Sequence, residues 1–149
     1  MKIKMEDEKI VLYLYNYFFK SNDKDIIVKE IKELFLKLIK IYHIKISGIY
    51  EVLLYENLKY GTILEIIKKE ELLFSKDLID IKVKIIKNID IYLKTKDYFI
   101  LSKYKNIYYF NNYFYININN IDSLINLLEF VEIIYKEKDI CFNNMLYIK

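Results

Sequence analysis

The stretch Ile107-Tyr108-Tyr109-Phe110-Asn111-Asn112-Tyr113-Phe114-Tyr115-Ile116 sets two apolar, aromatic runs on either side of an asparagine pair. Aromatic and β-branched residues suit a pleated, half-buried surface. Asn is one of the few residues that accepts positive φ at both central positions of a two-residue hairpin turn. The stretch therefore predicts a β-hairpin, and it sets the rule for reading the rest. With no Pro in the chain and only Gly48 and Gly61, Asn must supply most of the left-handed turn conformations.

Working upstream, Ile89 to Lys94 follows a tight turn at Lys87-Asn88, and Tyr98 to Leu101 adds a further short apolar run. Asp80-Ile81-Lys82-Val83-Lys84-Ile85 alternates cleanly. Ile79, Ile81, Val83 and Ile85 should face a core and Asp80, Lys82 and Lys84 water. Ile44 to Glu56 and Tyr60 to Lys69 form the arms of another hairpin across Asn57-Leu58-Lys59, with Gly48 marking a bulge in its first arm. Residues 2–5 and 9–18 make an N-terminal hairpin around Glu6-Asp7-Glu8. Between the hairpins, Ile27, Ile31, Leu34, Leu38 and Tyr42 recur at helical spacing behind the capping residues Ser21-Asn22-Asp23.

Downstream, Leu124, Leu127, Leu128 and Val131 give a second amphipathic helix capped by Asn120 or Asp122. Glu132 to Tyr135 continues that helix or starts a strand, and Ile140 to Ile148 closes the sheet. The expected class is α+β: an antiparallel sheet of several hairpins with two helices packed on one side, residues 1–149 forming a single domain.

Composition narrows function by exclusion. Ile, Lys, Leu, Tyr and Asn fill 100 of 149 positions, while Ala, Pro, Arg, Gln and Trp are absent, the imprint of an AT-rich genome. Without Arg there is no planar fork for bidentate recognition of guanine or phosphate. The net charge of +3 is spread, with 13 Lys against 12 acids in residues 1–75 and 11 against 9 in 76–149. No basic arm signals nucleic acid. The lone Cys141 forms no internal disulfide and suits a reducing, cytoplasmic location. The acidic start lacks the apolar region of a secretory signal, and no apolar run is long enough to span a membrane.

Chemistry-bearing residues are sparse. His43 is the only histidine, at the end of the first helix, where a structural or surface role is the expected one; a His43–Cys141 dyad is suggested only by the singularity of the two residues. Glu51, Glu56 and Glu65 lie on hairpin arms, where two carboxylates could meet as in a glycosidase or metal site. Strands more often place such acids on a solvated face beside Lys. Neither glycine sits in a phosphate-cradling motif. No catalytic residue, metal site or cofactor is assigned.

The distinctive local feature is aromatic. Tyr104, Tyr108, Tyr109, Phe110, Tyr113 and Tyr115 crowd one hairpin, and alternation must turn some of them outward. The expected function is a non-enzymatic protein-binding or self-association module using this aromatic sheet face or an open sheet edge. The alternative is a single-stranded nucleic-acid binder that stacks bases on Tyr beside Lys94, Lys96, Lys103 and Lys105. A third reading is a small-ligand protein or enzyme with a carboxylate site.

Overall fold

The computed structural model describes residues 1–6, 8–43, 48–70, 79–136 and 145–148. The described residues form ten strands in two five-stranded sheets, with two α-helices. The chain groups into two compact units: Met1–Glu56 with Gly61–Lys87, and Asn57–Tyr60 with Asn88–Lys149.

In the first unit, β1 (Lys2–Glu6) and β2 (Lys9–Tyr15) are the antiparallel N-terminal hairpin. α1 (Lys24–Tyr42) follows, then β3 (Gly48–Asn57), β4 (Gly61–Glu70) and β5 (Ile79–Ile86). The sheet order is β1-β2-β4-β3-β5. β2 and β4 are antiparallel, but β5 lies parallel to β3, with Gly48 opposite Ile79 and Val52 opposite Val83. Hairpins alone would have made every pair antiparallel. The parallel pair arises because β5 takes its place beyond β3 rather than beside β4, the strand it follows in the chain.

α1 starts where the sequence says it should. The Asp23 carboxylate accepts a hydrogen bond from the Asp25 amide at 2.9 Å, occupying one of the amides a helix start leaves open. Its apolar stripe, Ile27, Ile31, Phe35 and Leu38, is buried against Leu12, Leu64, Val52 and Leu54 on one face of the sheet. The Phe35 ring meets the Tyr50 ring edge-on, centroids 5.8 Å apart. The helix ends at His43, whose φ of 55° is left-handed.

Gly61 opens β4 with φ +125° opposite Tyr15. A Cβ there would stand 2.6 Å from the Leu14 carbonyl oxygen and 2.7 Å from the Asn16 nitrogen. Only glycine fits the backbone and the space together.

The second unit holds β6 (Tyr92–Thr95), α2 (Tyr98–Leu101), β7 (Tyr108–Phe110), β8 (Tyr113–Asn117), β9 (Glu132–Ile134) and β10 (Leu146–Tyr147), in sheet order β10-β7-β8-β6-β9. β7 and β8 are the hairpin read at the outset, with Asn111 and Asn112 at φ 52° and 70°. The turn Asn57–Tyr60 is organised by one side chain. Asn57 Oδ1 accepts from the Lys59 and Tyr60 amides at 2.9 Å, and its Nδ2 donates to the Ile89 carbonyl at 2.8 Å.

One element expectation fails here. Residues 124–131 are a run of turns rather than a helix, with Leu127 N donating to Leu124 O and Phe130 N to Leu127 O, both at 2.9 Å. Three-residue spacing serves turns as well as helices. The segment is shorter than the length at which helix propagation repays its nucleation. Leu124, Leu127 and Val131 are nonetheless buried, so the apolar spacing was a burial signal. The second helix is Tyr98–Leu101, capped by Asp97 through a 3.0 Å bond from the Phe99 amide. Four residues are too few to display a helical period. No described helix is long and apolar enough to cross a membrane.

Packing gives two checks by chemical denaturation. Phe35→Ala should cost about 3–5 kcal/mol, whereas Leu36→Ala, one residue away on the exposed side, should stay within about 0.5 kcal/mol. Gly61→Ala should destabilise by more than the roughly 1 kcal/mol that glycine-to-alanine exchange can gain at a compatible site.

Candidate functional site

Cross-strand pairing in the second sheet aligns five side chains in one row. Tyr147 of β10 lies opposite Tyr108 of β7, Tyr108 opposite Tyr115 of β8, Tyr115 opposite Lys94 of β6, and Lys94 opposite Glu132 of β9. Directly opposed residues share a face, and neighbours two apart along a strand share it too. Phe110, Tyr113 and Tyr92 therefore join the row on the same aromatic face.

The contacts follow that geometry. The Tyr108 and Tyr147 rings meet edge-on at 5.5 Å. Lys94 Nζ sits 4.1 Å from the Tyr113 ring centroid and 5.9 Å from that of Tyr115, and Lys96 Nζ is 5.2 Å from Tyr113. Ring faces carry negative potential, so both ammonium groups are held over the aromatic surface. Lys94 also pairs with Glu132 at 4.0 Å. Among the described residues Lys96 has no carboxylate partner. Exposure rises along the face: Tyr115 is buried, whereas Phe110 is 37% and Tyr147 55% exposed.

Four of the six aromatic residues singled out in the sequence, Tyr108, Phe110, Tyr113 and Tyr115, are thus brought together. Tyr109 points to the opposite face, where its ring is 5.0 Å from Phe114 and its hydroxyl donates to Asn112 Oδ1 at 3.1 Å. The Tyr98 ring also meets Phe114, centroids 5.3 Å apart. Leu93 and Ile116 complete that buried face. Tyr104 lies in the connection before β7, buried, with Lys103 5.1 Å from its ring.

Sequence reasoning missed Tyr147, Tyr92 and Glu132. Tyr147 lies 39 positions from Tyr108, and only its place in a short apolar triplet marked it as strand. Tyr92 was readable in principle, since Tyr92-Leu93-Lys94 alternates in phase with Tyr113-Phe114-Tyr115.

The carboxylates do not converge. Glu65 is 1% exposed on the face of the first sheet away from α1. It accepts from the Tyr55 hydroxyl at 3.1 Å and from Lys9 Nζ at 3.4 Å. Lys9 reaches on to Glu6 at 3.3 Å and Glu6 to Lys4 at 3.5 Å, so a buried acid connects through alternating charges to solvent. A buried carboxylate is tolerable only when paired and hydrogen-bonded in this way. Glu51 is bound to Lys69 at 3.1 Å, and alternation puts Glu56 on the other face. No group of three or more metal-ligating side chains occurs among the described residues. His43 is the exposed cap of α1, while Cys141, and with it any His43–Cys141 dyad, lies outside the described residues.

The charge network moves three ionisations. Burial, then the charge and hydrogen bond of Glu65, push the Tyr55 phenol up to about 12. Burial alone would lower the Lys9 ammonium, but Glu65 and Glu6 outweigh it and hold it above its ordinary value. The Glu6 carboxyl is lowered, chiefly by its hydrogen bond with Lys9.

Comparison with protein-family models, curated proteins and solved structures finds no match for this chain. Function must therefore be argued from these side chains alone.

The titration has a definite sign. Tyr55 and Lys9 both have folded pKa values above their unfolded ones, 10.0 and 10.5, so their stabilisation is complete below about pH 10 and fades as the pH climbs towards 12. Denaturation midpoints measured from pH 9 to 12 should fall, and Tyr55→Phe should flatten that fall by removing the ionising phenol.

Proposed function

We propose that this chain is a non-enzymatic contact module that binds another protein through the aromatic face of its second sheet. The observation that carries the reading is the in-register row Tyr147–Tyr108–Tyr115–Lys94–Glu132, flanked by Phe110, Tyr113 and Lys96. Tyr rings offer large contact area at low side-chain entropy cost, with hydroxyls that remain satisfied in water before a partner arrives. Anchors of this type dominate measured binding energies. The exposed end of the face, at Phe110 and Tyr147, is where a partner would seat first.

The same Lys and Tyr residues could hold a nucleic-acid strand. Protein is the better-supported partner, because the ammonium groups of Lys94 and Lys96 already lie over the Tyr113 ring and would compete with a stacking base. The face of the first sheet away from α1 gives the small-ligand reading little support, since Glu65 is closed in by its own partners. A cytoplasmic setting accords with the lone cysteine and belongs to the same proposal.

Capture from native lysate, followed by reconstitution with the purified captured protein, tests the reading. Wild type should retain a partner, and Phe110→Ser/Tyr147→Ser should lose it by about tenfold or more in affinity with an unchanged circular dichroism spectrum. Failure to reconstitute any partner counts against it. Salt-dependent binding of single-stranded oligonucleotides at low ionic strength would transfer the face to nucleic acid.

A further inference from the structure

β1 is the outer strand of the first sheet, paired with β2 along its whole length, and among the described residues no strand pairs with its other edge. Its free amides and carbonyls are a template for another strand. The two sides of β1 differ. Lys2, Lys4 and Glu6 lie with Tyr13, Val11 and Lys9 on the face away from α1, while Ile3 and Met5 lie with Leu12 and Ile10 on the α1 side. There Met1, Ile3, Met5 and Tyr42 line an open hollow of about 410 Å³. Met1 and Met5 are more than half exposed, although apolar.

We propose that the free edge of β1 pairs antiparallel with β1 of a second copy of this chain, about a two-fold axis at Lys4, to give one continuous sheet. The occupant follows from the sequence of the strand itself. Read in both directions from Lys4, Lys2-Ile3-Lys4-Met5-Glu6 sets Lys2 against the partner copy's Glu6 and Ile3 against its Met5, each twice. Isologous contact requires this self-complementarity. An axis at Ile3 would instead oppose Lys2 to Lys4, like charge to like.

An axis at Lys4 is also the one that pairs all five residues of β1 with their counterparts. Lys2 has no ion pair among the described residues; its ammonium lies 5.8 Å from the Tyr13 ring. The two Lys4 side chains would face each other across the axis, but each is already tied to its own Glu6 at 3.5 Å. The two-fold also brings the hollows of both copies side by side, covering the exposed methionines and Tyr42. A short edge with a small apolar patch buries less than a standard interface, so the dimer forms and dissociates with concentration. This surface is separate from the aromatic face, and the inference does not rest on that reading.

Sedimentation equilibrium over a range of concentrations tests it on the intact chain. Wild type should show a monomer–dimer equilibrium. Lys2→Glu, which opposes Glu6 with an acid, should weaken the dimer about tenfold, and Lys2→Glu/Glu6→Lys should restore it. Both positions of change are on an exposed edge strand, and circular dichroism verifies the fold of each variant. A monomer at every concentration overturns the proposal. So does a swapped pair that fails to restore association, or a dimer abolished by Phe110→Ser/Tyr147→Ser and untouched by the β1 variants.

Discussion

Every reversal of this chain has to be made with almost no glycine and no proline, and that shortage governs how the sheets are drawn. Apart from Gly48 and Gly61, the described residues at positive φ are Asn16, His43, Asn88, Asn106, Asn111 and Asn112. Asn bears the left-handed conformation better than other side-chain-bearing residues because its short amide bonds locally to the backbone. Asn88 separates the last strand of the first unit from the first strand of the second. Asn111 and Asn112 set the register of β7 and β8, and through it the faces on which Tyr108, Phe110 and Tyr113 emerge. A turn longer or shorter by one residue would send those rings into the opposite face.

Where glycine does appear, it answers a need that Asn cannot meet. At Gly61 both the dihedral angle and the nearness of Leu14 and Asn16 exclude a Cβ. This close approach fixes the end of β4 against β2, so that Leu12 and Leu64 meet in the layer that receives α1. With only two glycines in the chain, this one stands where stereochemistry leaves no substitute.

Much of this architecture could be read from residues. The α1 stripe, the N-terminal hairpin, the alternating strand at 79–86 and the Asn-Asn hairpin all carry local signals several residues long. What escaped was either too short or too distant. Tyr98–Leu101 is about one helical turn and cannot repeat its period, and 124–131 has helical spacing at a length that turns satisfy equally well. The split into two sheets and the parallel β3–β5 pair depend on contacts between remote segments, which no local period encodes. The candidate face was half legible: alternation in Tyr113-Phe114-Tyr115 foretold its rings, but its row acquires Tyr147 and Glu132 only through pairing with β10 and β9. Glu65 was noticed as a strand carboxylate and expected in water. Its burial beside Tyr55 and Lys9 shows how a β-strand can hide a charge when its cross-strand neighbours carry the complement.

Lysine as the sole cation leaves a chemical mark. The ammonium groups above Tyr113, the one that neutralises Glu65 and the pair on β1 are all primary amines, with no guanidinium to take over if they are altered. Acylation by a single reagent or enzyme would erase positive charge from both sheets at once, where a protein of mixed Lys and Arg would keep a share of its own. Its surface electrostatics would respond to acyl-group chemistry as a unit.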